Sequence, residues 1–173
     1  MAFVGEEGEE IVEFIVGYYK CKGDRGSMFE LVTNENIDVA AKIHSISWKE
    51  SHRSFCSKEF VELHTEERQR EYIEKEMNCG KVFYILVEEN AKGIVSVKGN
   101  LIENLYVLPA EQRKGYGTRL LQYAEGLCEG KPTLWILDNN RVAKNLYQKL
   151  GYELTGKEKV LSKTLKELEM RKN

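Results

Sequence analysis

The sequence predicts a mixed α/β domain whose sheet is mostly antiparallel, with one parallel crossover near its end. Three observations carry this. The runs KVFYILVEEN, AKGIVSVKG and NLIENLYVLP follow one another with only Glu89–Asn90 and Gly99–Asn100 as turns between them, and connections so short join antiparallel neighbours. After Pro109 the period changes, because Leu120, Leu121, Ala124, Leu127 and Cys128 recur at helical spacing from a start near Gly115. The strand-like TLWIL follows, which completes a β-α-β unit of the kind that joins parallel strands.

Taken in order, residues 1–27 differ from the rest. Six acids (Glu6, Glu7, Glu9, Glu10, Glu13, Asp24) stand against three bases (Lys20, Lys22, Arg25), a net of −3. Ile11, Phe14, Ile15, Tyr18 and Tyr19 fit a short amphipathic helix, followed by KGDRGS as a linker. This extension either docks a partner, a second copy of the chain included, or packs on its own domain. The domain proper runs over 28–173. FELV reads as a strand, and Asn34 or Thr33 can cap a helix through Ala40, Ile43, Ile46 and Trp48. A second helical region spans about Ser57 to Met77, with Thr65 as an internal restart. Beyond TLWIL, RVAKNLYQKL is a helix with Gly151 as its terminating glycine, and YELTGKEKV is a strand. The tail LKELEMRKN is helical by propensity and strand-like by alternation, so its pattern leaves both open.

At 173 residues the chain suits one domain with a full core. Its net charge of −2 argues against a nucleic-acid binder, which would carry a basic face. No stretch approaches the roughly 20 apolar residues of a membrane span, and the acidic opening GEEGEE is unlike a secretory signal. Cys21, Cys56, Cys79 and Cys128 lie far apart with no CxxC pair, and the histidines show no ligand spacing. Free thiols, no metal and a cytoplasmic location are therefore expected.

EQRKGYGTRLL, from Glu111, has the composition of an anion-binding loop. A Walker loop would need Gly-Lys-Ser/Thr, but Gly117 is followed by Thr118 and Arg119. A dinucleotide fingerprint would need a third glycine where Leu120 stands, and a βαβ unit in place of the preceding meander. What remains is a strand, a turn and a helix starting near Gly115. The unpaired first amides of that helix and its positive dipole suit a phosphate or pyrophosphate, with Arg113 and Lys114 at the rim.

The spacing Gln112-x-x-Gly115-x-Gly117 after a strand and proline resembles the acetyl-CoA loop of the GCN5-related N-acetyltransferases. Asn140-x-x-Ala143-x-x-Leu146-Tyr147-x-x-x-Gly151-Tyr152 is similar to that family's second motif. IHSISWKESHRSF and ELHTEERQREYI look like its paired substrate-side helices. The resemblance covers about Met28 to the C-terminus. It implies an N-acetyltransferase domain over 28–173, with a sheet whose fourth and fifth strands run parallel and splay apart (here Leu101–Leu108 and Thr133–Leu137).

It further implies acetyl transfer from acetyl-CoA to a primary amine. Gln112, Arg113, Lys114, Gly115, Tyr116, Gly117 and Thr118 would hold the pyrophosphate. Backbone at Tyr106 and Val107 would pair with the pantetheine arm, strand to strand. Asn140 would contact that arm, or serve only as a helix cap, a task also open to Asn139 or Asp138. Asn140, Ala143 and Tyr147 share one helical face, with Leu146 and Leu150 beside it on the sheet. Tyr147 would then donate to the leaving thiolate, the alternative being a buried structural tyrosine.

Glu103, at even spacing from Leu105 and Val107, is the expected base, acting through a water, or else an ordinary carboxylate. The chain departs from its relatives at two base positions, where it has Leu101 and Trp135. His44 or His52 is an alternative base, or an ordinary histidine. The glutamates of the second helical region suit a cationic acceptor such as a polyamine, or are a solvated face. The leading function is acetylation of a small-molecule amine. The alternatives are acetylation of a protein or peptide, and an acyl-CoA-binding module without catalysis.

Overall fold

The computed structural model describes residues 28–162 and 165–173, together with the backbone of Tyr18 and Tyr19. These form one eight-stranded sheet in the order β1-β2-β3-β4-β5-β6-β8-β7. The strands are β1 (Tyr18–Tyr19), β2 (Met28–Leu31), β3 (Val82–Glu88), β4 (Asn90–Lys98), β5 (Leu101–Val107), β6 (Thr133–Leu137), β7 (Tyr152–Val160) and β8 (Lys166–Lys172). The helices are α1 (Ile37–His52), α2 (Lys58–Glu62), α3 (Glu66–Asn78), α4 (Tyr116–Gly126) and α5 (Arg141–Lys149). No helix among the described residues is long and apolar enough to cross a membrane.

β3 reads VFYILV because both its faces are buried. Phe83 and Ile85 pack with Ile37, Ala40 and Ile43 of α1 and Ile73 of α3. Tyr84 and Leu86 face the other core, with Leu120, Leu121 and Ala124 of α4 and Tyr147 of α5. The sheet is therefore covered on both sides, by α1 and α3 on one face and by α4 and α5 on the other. Alternation along β4 follows the same division, with Ile94 on the α1 side and Val95 and Val97 on the α4 side.

All strand pairs are antiparallel except β5 with β6. That parallel pairing is confined to Leu101↔Thr133 and Ile102↔Leu134. Beyond Ile102 the two strands separate, as the family resemblance implied, and among the described residues no strand lies beside the β6-facing edge of β5.

Several local expectations are corrected. Tyr18 and Tyr19 pair with Glu30 and Phe29 as a strand and so do not end a helix; the rest of that proposed helix and the KGDRGS linker lie outside the described residues. The residue before α1 is Asn36, and neither Thr33 nor Asn34 caps it. The Asn36 side chain folds back, accepting from Thr33 N at 2.8 Å and donating to Leu31 O at 3.1 Å. The tail is a strand: β8 inserts between β6 and β7 and buries Met170 completely. The restart at Thr65 is present, its hydroxyl accepting from Arg68 N at 3.3 Å, and Gly151 follows α5 at φ +87.

One feature of β5 alters the site. Tyr106 pairs with Ile94 and Glu103 with Ser96, so two residues of β5, Asn104 and Leu105, stand opposite Val95 alone. Asn104 has a φ of +49°, a left-handed conformation that asparagine tolerates better than other side chains. The bulge shifts the alternation by one residue. Leu105 and Val107 pack with the α4 core, whereas Glu103 and Asn104 both lie toward α1 and α3.

Candidate active site

α4 begins where β5 ends. A 3-10 turn at Pro109–Glu111 redirects the chain, Arg113 and Gly115 take positive φ (62° and 88°), and Gly115 precedes the first helical residue. Glycine offers no side chain to cap the helix, so the first-turn amides of Tyr116, Gly117 and Thr118 have no side-chain acceptor. A Cβ at Gly117 would lie 3.8 Å from Val107 and 3.9 Å from Leu146. The end of β5, the start of α4 and the outer side of α5 thus converge on one place, where helix dipole and free amides suit an anion.

The charged rim is less free than the sequence suggested. Lys114 Nζ lies 2.8 Å from Glu111, which also accepts from Lys92 at 3.2 Å, and these two ammonium groups hold the Glu111 carboxyl below its ordinary range. Arg113 is exposed and has no ion-pair partner among the described residues. The Gln112 side chain donates to Val107 O at 3.3 Å, tying the loop to β5. Tyr116 offers its backbone only, because its buried hydroxyl donates to Glu88, a carboxylate that Arg119 also contacts at 3.3 Å. Thr118 is half-buried in the first turn.

Gly93 is a requirement that the sequence reading did not register. A Cβ there would lie 2.5 Å from Tyr106 O and 2.8 Å from Leu120 Cδ1, so the close approach of β4 to β5 and α4 needs a bare Cα. A glycine inside the AKGIVSVKG strand was the signal for it.

On α5, Asn140 is the N-cap and accepts from Ala143 N at 3.0 Å, leaving its amide NH₂ for other partners. The face assigned to the cofactor is in part a packing face. Ala143, Tyr147 and Leu150 lie against the α4-side core, while Leu146 reaches toward Gly117. Tyr147 is 8% exposed, and its hydroxyl has no hydrogen-bond partner among the described residues. Burial pushes that hydroxyl up to about 12.

The opposite face of the sheet holds a cleft of about 370 Å³ between α1, α3 and β5. α1 contributes His44 and Trp48, whose i,i+4 spacing sets them on one face. The turn before α3 adds Leu63 and His64; α3 adds Arg68, Gln69 and Tyr72, and β5 adds Asn104 and Tyr106. Asn104 organises the floor. Its Oδ1 lies 3.0 Å from His44 Nε2, and its Nδ2 donates to Ser96 Oγ at 2.9 Å and to Tyr72 OH at 3.3 Å. Burial lowers the His44 pKa to about 4 even though the Asn104 bond opposes this, so the ring is neutral at pH 7. Trp48 stacks between His52 (3.8 Å) and His64 (3.3 Å), and burial lowers both of those histidines as well. Burial of the Tyr106 hydroxyl raises its pKa.

Glu103 is not on the face of Leu105 and Val107. The bulge at Asn104 turns it toward Lys81, at 2.6 Å, which also pairs with Glu76 at 2.7 Å. Burial alone would lower the Lys81 pKa, but its bonds to Glu103 and Glu76 outweigh this and raise it. Glu103 is thus committed to holding a buried ammonium. The glutamates of α3 do not line the cleft either. Glu74 faces Arg70 at 3.5 Å and Glu76 faces Lys81, which removes the basis for a polyamine site there. Asn104 and Tyr72 were not singled out from the sequence. The signal was an asparagine in the middle of a strand, where its low β-propensity marks a bulge.

Comparison with known proteins follows the same geometry. A family model described as an acetyltransferase (GNAT) domain matches residues 73–154, from within α3 to the start of β7. No curated protein matches the chain. Among solved structures, the PaiA N-acetyltransferase from Thermoplasma acidophilum, in complex with coenzyme A, is 20% identical with a TM-score of 0.63, over 84% of this chain and 98% of that one. Apo YjaB from Escherichia coli is 19% identical with a TM-score of 0.64, over 85% and 97%. A GCN5-related N-acetyltransferase from Rhodopseudomonas palustris is 22% identical with a TM-score of 0.65, over 86% and 96%. Residues 73–154 thus match a model of an acetyltransferase (GNAT) domain, and the described sheet has the fold of these solved N-acetyltransferase structures.

Proposed function

We propose that the protein moves the acetyl group of acetyl-CoA to the primary amine of a small molecule. One observation carries this reading: the uncapped start of α4 adjoins the strand-free edge of β5, so a pyrophosphate site and a site for an extended, peptide-like arm meet. In this reading the amides of Tyr116, Gly117 and Thr118 hold the pyrophosphate, with Gly115 setting the turn and Arg113 and Lys114 adding charge at the rim. The backbone of Tyr106 and Val107 takes the pantetheine arm as an added strand, with Gln112 bracing the loop and the free Asn140 amide beside it.

The acceptor enters from the α1–α3 cleft, whose roughly 370 Å³ falls at the small end of small-molecule pockets. Its amine attacks the thioester carbonyl carbon, the C–S bond breaks, and the amine proton leaves through water. Glu103 receives that proton through water, and only by loosening its pair with Lys81. Tyr147 acts as a hydrogen-bond donor to the departing thiolate. A hydroxyl near 12 is several units less acidic than a thiol of about 8.5, so it stabilises the thiolate rather than fully protonating it.

The test is release of free coenzyme A thiol from acetyl-CoA with a panel of small amines and of peptides. Turnover with small amines supports the reading, and turnover with peptides alone transfers it to protein acetylation. Acetyl-CoA binding without turnover leaves only a binding module. Absence of binding at millimolar acetyl-CoA removes all three.

A further inference from the structure

We propose that the acceptor bound in the α1–α3 cleft carries a carboxylate as well as its amine, joined by an aromatic or apolar body, and that Arg68 binds that carboxylate. This deepens the acetyl-transfer reading and rests on it.

The charge around the cleft is the first reason. Among the described residues, Arg68 is the one lining residue that carries a full charge throughout the neutral range, and no carboxylate lines the cleft. Its guanidinium has no ion-pair partner among the described residues. Neighbouring cations of the same region do have partners: Arg70 with Asp38 at 2.9 Å and Glu74, Lys49 with Glu62 at 3.0 Å, and Lys81 with Glu76 and Glu103. The acidic residues here are either engaged by those cations or, like Glu66 and Glu67, exposed away from the lining. Arg68 also stands in the first turn of α3, where the helix dipole favours an anion. His44, held by burial at a pKa of about 4, adds no charge near neutral pH, and burial lowers the pKa of His64 as well.

The second reason is the shape of the wall. Trp48 is stacked by His52 and His64, and the rings of Tyr72 and Tyr106 both pack on His44, with centroids at 5.4 Å and 5.0 Å. Such a wall suits an apolar or aromatic body. Both walls supply polar groups, Asn104 and Tyr106 from β5 and Arg68, Gln69 and Tyr72 from α3. An amine placed at the β5 end, where acetyl transfer must occur, leaves the guanidinium for a group of opposite charge. An arginine fork matches a carboxylate in geometry as well as charge. A polyamine, by contrast, meets no carboxylate and one repelling cation.

The test uses the full chain. Acetyl-CoA binding is first measured by calorimetry, which examines the acetyl-transfer reading separately. Initial rates are then compared for 4-(aminomethyl)benzoate against benzylamine, 4-(2-aminoethyl)benzoate against phenethylamine, and spermidine. The expected result is a kcat/KM about tenfold higher for the carboxylated member of each pair, a ratio that falls toward one in Arg68→Ala and is partly kept in Arg68→Lys. If acetyl-CoA binds but spermidine or the decarboxylated amines are used equally well or better, the inference is overturned. Failure of every carboxylated amine overturns it too, as does a ratio unchanged by Arg68→Ala; acetyl transfer stands wherever any tested amine is turned over. If acetyl-CoA does not bind, the acetyl-transfer reading itself has failed.

Discussion

Asn104 Oδ1 lies 3.0 Å from His44 Nε2, joining a strand bulge to a helix across 60 residues of sequence. The same amide reaches Ser96 and Tyr72 through its nitrogen, so one side chain at positive φ satisfies three groups from three other elements. Two of those groups, on His44 and Ser96, are almost fully buried.

Asn104→Ala therefore leaves buried polar atoms unpaired on β4 and α1. The expected cost is about 1–3 kcal/mol in chemical unfolding, together with a rise in KM for the acceptor and an unchanged affinity for acetyl-CoA. Asn104→Gly separates the effects, because it keeps the positive φ while removing the amide. A stability equal to wild type in Asn104→Ala would contradict the network.

The buried His44 gives stability a pH dependence of defined sign. Its folded pKa is about 4 against an ordinary 6.5, so between these values the unfolded chain binds a proton that the folded chain does not. The contribution is complete above about pH 6.5 and is lost as pH falls toward 4, a loss of about 3 kcal/mol. His52 and His64 are shifted in the same direction and add to it. Denaturant unfolding at pH 7.5 and 4.5 should show the decline, and His44→Gln should flatten it.

The two glycines of the loop should respond differently. Gly115→Ala forces an L side chain to φ +88°, at about 1–2 kcal/mol, and distorts the turn that presents the α4 amides. Gly117→Ala meets only ordinary contacts at 3.8 Å and 3.9 Å and replaces a helical glycine, so stability should rise by up to about 1 kcal/mol. Calorimetry should find acetyl-CoA affinity lowered at least tenfold in the first and within a few-fold of wild type in the second.

Tyr147→Phe removes a hydroxyl that has no partner among the described residues while keeping the buried ring. Folding stability should therefore change by less than about 1 kcal/mol, and acetyl-CoA affinity should hold. Loss of a donor to the thiolate should lower kcat about 10- to 100-fold. An unchanged kcat would assign Tyr147 a purely structural place.

Much of the fold was legible because hydrophobic period and turn residues agree. Val82–Glu88, Asn90–Lys98 and Leu101–Val107 fall where the alternating runs and the Glu89–Asn90 and Gly99–Asn100 turns indicated. α4 starts beside Gly115 for the backbone reason its sequence suggests. Two features depended on long-range pairing and were not. The tail became β8 because β6 and β7 offered it two edges, a choice that its local propensity cannot make. Glu103 was assigned to the wrong face because strict alternation was carried through Asn104, where the bulge shifts the register. The cleft lies further still from local pattern, since His44, Arg68 and Asn104 meet only when α1, α3 and β5 pack.

The central claim is that acetyl-CoA binds where α4 begins beside the open edge of β5. The most direct measurement is an amide NMR titration of the ¹⁵N-labelled protein with acetyl-CoA. Saturable shifts should appear first at Tyr116, Gly117 and Thr118 and along Tyr106–Val107, with little change at the distant β1–β2 edge. Amides at these positions that stay unmoved at millimolar acetyl-CoA would contradict the account.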